Sequence, residues 1–121
     1  MIEVDEKTGA ITIVRGDSGY VTVPLFEIVE DAETGEKVEQ PYTLQPGDTL
    51  RFAAAKRWGS TEDECIIIRE IEGPEMKLEF YPEDTKSLKF GGYKYDLELT
   101  TADGYVDTIL KSTFTISEEV Y

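Results

Sequence analysis

Tyr93-Lys94-Tyr95-Asp96-Leu97-Glu98-Leu99-Thr100, then Ala102-Asp103-Gly104, then a return run from Tyr105 to Leu110 that Ser112 to Ile116 continues, spells one complete β-hairpin. Tyr93, Tyr95, Leu97 and Leu99 alternate with Lys94, Asp96, Glu98 and Thr100. That period of two puts apolar side chains on one face and charges on the other, as a half-buried antiparallel strand requires. Gly104 supplies the positive φ that a tight reversal demands. A hairpin of this kind predicts the closing element of a β-sandwich, and it carries no chemistry of its own.

Working outward, the same alternation recurs at regular intervals. Ile2-Glu-Val, a turn at Asp5 to Gly9, and Ala10 to Val14 read as a short leading hairpin, or as a tail (residues 1–10) before the first core strand. Tyr20 to Val29 reads as one long β-branched strand whose Pro24 cannot donate to a ladder, which implies an edge or a bulge. Glu30 to Gln40 is a charged excursion turning at Thr34-Gly35. Gln45-Pro-Gly-Asp48 launches the strand Thr49 to Ala55; Glu64 to Ile71 and Met76 to Phe80 follow. Pro82 to Leu88 predicts a single helical turn, since Pro suits the first helical position and Glu83 and Asp84 favour the positive end of its dipole. Seven to eight strands with one helical turn near 82–88 favour an all-β antiparallel sandwich in one domain, residues 1–121. The expected core is Ile13, Val21, Val23, Leu50, Phe52, Ile67, Leu78, Phe80, Tyr93, Tyr95, Leu97, Leu99, Ile109, Phe114 and Ile116.

Composition excludes several function classes. At 121 residues and 40% hydrophobic, the chain is long enough to bury a core without disulfides or metal. No apolar run is longer than Cys65 to Ile68, so no membrane-spanning segment is expected, and the acidic start at Met1 lacks the features of a signal peptide. Synthesis and folding in a bacterial cytoplasm are expected. The single cysteine, Cys65, rules out an internal disulfide and every zinc-finger spacing, and its place at the head of an apolar strand predicts a small buried hydrophobe. There is no histidine, which removes the commonest general base and transition-metal ligand. With 26 acidic and 12 basic residues the formal charge is −14, which repels phosphate backbones and argues against nucleic-acid binding.

The motifs that recur in active sites fail on inspection. Asp31, Glu33 and Glu36, and Glu62, Asp63 and Glu64, are carboxylate clusters, but the first departs from the EF-hand spacing and both read as solvated loop charge. Gly91-Gly92 precedes a strand rather than a helix, so it is no phosphate loop. Ser18 in Gly-Asp-Ser-Gly has no histidine to serve as base. Arg15-Gly16-Asp17 matches an adhesion tripeptide that arises often by chance. No catalytic, cofactor-binding or metal-binding residue is expected. Lys56-Arg57-Trp58 is the one basic and aromatic cluster, at a predicted loop tip, and Trp and Arg are favoured interface anchors; the bland alternative folds Trp58 back over the sandwich.

Two resemblances rest on these segments. The corner Asp84 to Leu88, followed by Gly91-x-Tyr93, resembles the tyrosine corner of immunoglobulin-like sandwiches, which implies a Tyr93 hydroxyl bonded to backbone upstream. Tyr95 stands where an antibody domain carries its second cysteine. Ile13 to Ser18, Pro41 to Phe52, Tyr81 to Leu88, Gly92 to Thr100 and Ser112 to Ile116 together resemble small phage and prophage proteins related to the N-terminal domain of siphophage upper baseplate proteins, over about Ile11 to Val120. That resemblance implies a non-enzymatic structural module of a virion tail that packs against other tail proteins or itself. It implies no cofactor. The Pro24 strand and the terminal strand ending near Val120 are the expected docking edges. A small acidic adaptor or inhibitor binding a basic host protein is the alternative, and a carboxylate-based hydrolase a third class that the missing histidine disfavours.

Overall fold

The hairpin of Tyr93 to Ile116 occupies the centre of the main sheet. The structure, a computed structural model, describes residues 2–119. In chain order the strands are β1 (Ile2–Val4), β2 (Ile11–Val14), β3 (Gly19–Thr22), β4 (Phe26–Glu30), β5 (Lys37–Pro41), β6 (Thr49–Ala55), β7 (Ile67–Ile71), β8 (Lys77–Phe80), β9 (Gly91–Thr100) and β10 (Val106–Ser117), with a 3-10 turn at Glu62–Glu64 and a one-turn helix α1 at Pro82–Thr85. Six strands form one sheet in the order β1-β2-β10-β9-β6-β7; β3 pairs with β8, and β4 with β5, in two-stranded sheets of their own.

The fold is all-β and layered as a sandwich. Leu78 and Phe80 of β8 meet the inner face of the six-stranded sheet around Phe52, whose ring lies 5.5 Å from Phe80, 5.1 Å from Tyr95 and 5.8 Å from Phe114. Phe52, Phe80 and Phe114 are essentially inaccessible to solvent, and rings in these tilted and edge-on arrangements add to the burial that drives folding.

Several expectations are corrected. The sheet is mixed, not purely antiparallel: β2 runs parallel to β10, with Ile11 opposite Phe114 and Ile13 opposite Ile116. The direction of β2 is set by the β1–β2 hairpin, whose turn is bonded to the main sheet: the Ser112 hydroxyl donates to Thr8 carbonyl at 2.8 Å, and the Tyr95 hydroxyl donates to Gly9 carbonyl. Among the described residues ten strands replace seven or eight, because Pro24 separates β3 from β4 and the charged excursion contains β5. The helical turn is shorter than 82–88 and ends at Thr85. The strand expected from Glu64 starts at Ile67, because the Glu64 carboxylate accepts the Thr61 amide at 3.0 Å and bends the chain into the 3-10 turn; Cys65 is therefore half-buried outside the strand.

Of the expected core, Val21 and Leu99 are half-buried and pack against it, while Ile109 is 39% exposed. A β-bulge explains Ile109: the β9–β10 register shifts between Thr108 and Leu110, so Leu110 instead lies opposite Leu97. The terminal strand is not a free edge over its last part, since β10 lies between β9 and β2 at Phe114–Ser117. Val120 lies outside the described residues.

The corner before β9 follows the tyrosine-corner pattern. The Tyr93 hydroxyl donates to the Lys89 carbonyl at 2.7 Å. Asp84 accepts two guanidinium bonds from Arg69, at 2.7 and 2.8 Å, and the Tyr81 amide at 2.7 Å. Burial alone would raise the Asp84 carboxyl, but the Arg69 bonds, the Tyr81 amide and the Arg69 charge hold it below the usual carboxylate range. Thr85, fully buried, accepts the Gly16 amide on its hydroxyl at 2.8 Å, which ties α1 to the β2–β3 turn.

Candidate functional site

Alternation on β6 and β9 prepares the first surface. Leu50, Phe52 and Ala54 face the core, so Ala53 and Ala55 face outward, yet they are only 8% and 6% exposed. The loop after β6 covers them. Lys56 and Arg57 lead out, and Trp58 folds back, its indole N–H donating to the Tyr95 carbonyl at 3.4 Å. The indole is flanked by the ammonium groups of Lys94 and Lys111, each 4.9 Å from its ring. Such cation–π contacts hold the ring in place while leaving it 44% exposed.

The loop thus combines both readings of Lys56-Arg57-Trp58: the ring is folded over the sheet, and it remains half open. Arg57 is 79% exposed and 3.6 Å from Glu64, an ion pair of little energetic consequence. Around them lies a depression of about 110 Å³ that reaches Cys65. Lys94 and Lys111 were missed by sequence reading as parts of this site. Lys94 was already placed on the charged face of the hairpin; its meeting with Trp58 depends on the β6–β9 register that sets Ala55 opposite Lys94, and a local spacing does not encode that pairing.

A second surface is the ribbon of β4 and β5, which among the described residues pair only with each other. Phe26, Ile28 and Val38 are 55%, 71% and 45% exposed on it, and β5 is exposed throughout. The ribbon's turn is built by Asp31, whose carboxylate accepts the Glu33 and Thr34 amides at 2.8 and 3.3 Å. The Asp31, Glu33 and Glu36 cluster is therefore at the tip of an arm, and the Glu62, Asp63 and Glu64 cluster is the 3-10 turn itself. Among the described residues no group of three or more acidic or cysteine side chains is arranged to hold a metal ion.

Asp48 ties two loops together, the β5–β6 connection and the β9–β10 turn. It accepts the Tyr42 hydroxyl at 2.6 Å, the Gln45 amide at 2.8 Å and the Ala102 amide at 3.3 Å. The Tyr42 bond, with the Gln45 amide, lowers the Asp48 carboxyl below its ordinary value, and the same bond, aided by burial and the Asp48 charge, pushes the Tyr42 hydroxyl up to about 12. This arrangement is a clamp between two loops.

Arg15 of the Arg15-Gly16-Asp17 tripeptide is turned inward: it pairs with Glu119, donates to the Leu88 carbonyl at 3.3 Å and stacks 4.0 Å over Phe90. Among the described residues every buried side-chain nitrogen or oxygen has a hydrogen-bond partner, and no helix is long and apolar enough to cross a membrane. No family model matches the chain, and no curated protein matches it in sequence.

Proposed function

We propose that the chain is a non-enzymatic assembly module, a component of a phage or prophage tail or baseplate that packs against other virion proteins. The β4–β5 arm carries this reading. A two-stranded ribbon is marginally stable in water on its own, and this one exposes Phe26, Ile28 and Val38 rather than burying them. An arm of this kind gains its stability by lying on another protein. The segments that resemble siphophage upper baseplate proteins support the tail context, and the absence of histidine together with the satisfied buried polar groups favours a role without catalysis. Lys56, Arg57 and Trp58, with Lys94 and Lys111, form a second contact surface on the outer face of the main sheet. Induction of phage particles from the source strain, followed by mass spectrometry of purified tails, tests the reading: the chain should be present in fixed stoichiometry with tail proteins, and particles without it would overturn the proposal.

A second reading, an acidic adaptor for a basic host protein, is favoured by the arm's charge. Six carboxylates, Glu27, Glu30, Asp31, Glu33, Glu36 and Glu39, stand against Lys37 alone between residues 26 and 41, a net −5. Such binding would weaken steeply with salt, whereas contact through Phe26 and Ile28 would not.

A further inference from the structure

One flank of the sandwich is open. The six-stranded sheet is wide and β3–β8 is narrow, so between β3, the β1–β2 turn and the first half of β10 there is a groove of about 820 Å³. Its accessible apolar lining comes from Val4, Tyr20 and Ile109, with Val21 and Leu110 half-buried beside them. A cleft of this size is in the range that receives ligands.

The strand beside it is only half paired. From Val106 to Lys111, β10 bonds to β9 on one side; β2 takes up the other side only from Phe114 onward, and among the described residues no strand pairs with the stretch before it. That leaves a row of backbone N–H and C=O groups along the groove, the template that strand addition uses. The bulge at Ile109 lies in this stretch, and Ile109 and Leu110 both line the opening.

The charges select the occupant. Asp5 and Glu6 line the groove and no Lys or Arg does. Asp107, opposite Leu99 and so on the face shared by Leu97 and Leu110, adds a third carboxylate further along β10. The β4–β5 arm of a second copy is a poor fit, because its net −5 would meet three further carboxylates, and like charges brought together oppose association.

We propose that this groove receives an extended segment of a different protein, apolar at alternate positions and ended by Lys or Arg, which adds as a strand to the free edge of β10. Its apolar side chains would enter between β3 and β10, and its basic ends would meet Asp5, Glu6 and Asp107. The inference rests on the reading of the chain as a protein-binding module and names the partner chemistry of one surface.

The test uses the full chain and three fluorescein-labelled peptides: alternating Val and Thr ended by Lys, a twin ended by Glu, and a Lys-ended twin interrupted by Pro, which cannot complete a ladder. The Lys-ended peptide should bind by anisotropy and shift the amide resonances of Val106 to Leu110. The Glu-ended and Pro-interrupted twins should bind about tenfold or more weakly, as should the Lys-ended peptide to an Ile109→Asp chain, whose change is at a partly exposed position. No binding, equal binding of all three peptides, or shifts confined to the Trp58 face would overturn the inference. If the groove fails while the chain is still found in tails, the assembly proposal stands without it.

Discussion

Replacing Tyr95 by Phe separates a hydrogen bond from the ring that carries it. The ring packs 5.1 Å from Phe52 in the core and Phe keeps that contact, while the hydroxyl bond to the Gly9 carbonyl, which fastens the β1–β2 turn, is lost. A net hydrogen bond contributes about 1 kcal/mol and an abandoned buried acceptor raises the cost, so Tyr95→Phe should destabilise by about 1–2 kcal/mol at pH 8. For a chain of this length that is a fall in Tm of roughly 3–10 °C.

The pH dependence of the difference is the sharper test. Burial pushes the Tyr95 hydroxyl up to about 12, from 10 in an open chain. The folded protein therefore keeps the proton over a range where the unfolded chain releases it. The stability linked to that proton is fully present below pH 10 and is lost as pH rises from 10 towards 12. At about 1.4 kcal/mol per pH unit the loss is at most about 3 kcal/mol, and about 2 once water reaching the hydroxyl from the adjoining groove is allowed for. Phe has no such proton, and every other titrating group is common to both proteins. Urea unfolding followed by circular dichroism from pH 8 to pH 11.5 should thus show the wild-type advantage shrinking to nothing near the top of the range. A gap that stays constant with pH, or one absent at pH 8, would refute the reasoning.

Asp84→Ala removes the acceptor of the Arg69 fork and of the Tyr81 amide, and Arg69 is a quarter exposed, so the cost should be about 2–3 kcal/mol rather than the larger penalty of a fully buried pair. Because the folded Asp84 carboxyl lies below the usual range, its stabilisation is complete above the ordinary carboxylate pKa and is lost as pH falls through the folded value; the deficit of the Ala variant, read by urea unfolding, should narrow below about pH 4. Gly9→Ala places a Cβ at φ +79, 2.7 Å from a methyl group of Leu110. The side chain of Leu110 can yield, so the backbone strain dominates, and calorimetry should show a loss of about 1–2 kcal/mol.

What could be read from the sequence followed from burial. Tyr93, Tyr95 and Leu97 alternate with polar residues because one face of β9 is in the core, and a period of two is visible wherever that holds. β5 shows no such period because Lys37 to Pro41 are all exposed, so nothing in that run marks it as a strand; its pairing with β4 supplies the order. Pro24 signalled an interruption, but whether it bends one strand or divides two depends on partners far along the chain, β8 for one half and β5 for the other. Ile109 is outside the core because the bulge passes the inward position to Leu110, and a bulge is a property of the pair of strands. The basic and aromatic cluster was legible at Lys56, Arg57 and Trp58 as an oddity in an acidic chain, whereas Lys94 and Lys111 join Trp58 only through the strand register, and the groove exists because a six-stranded sheet is covered by two strands.

The arm is where the account is most exposed to test. Phe26→Ser with Ile28→Ser should leave Tm within a few degrees of wild type, because both side chains are already more than half exposed. The same double variant, expressed during phage induction in place of the wild-type chain, should be absent from purified tails when these are quantified by mass spectrometry. A normally folded variant that enters tails at the wild-type level would contradict the claim that this protein assembles through its β4–β5 arm.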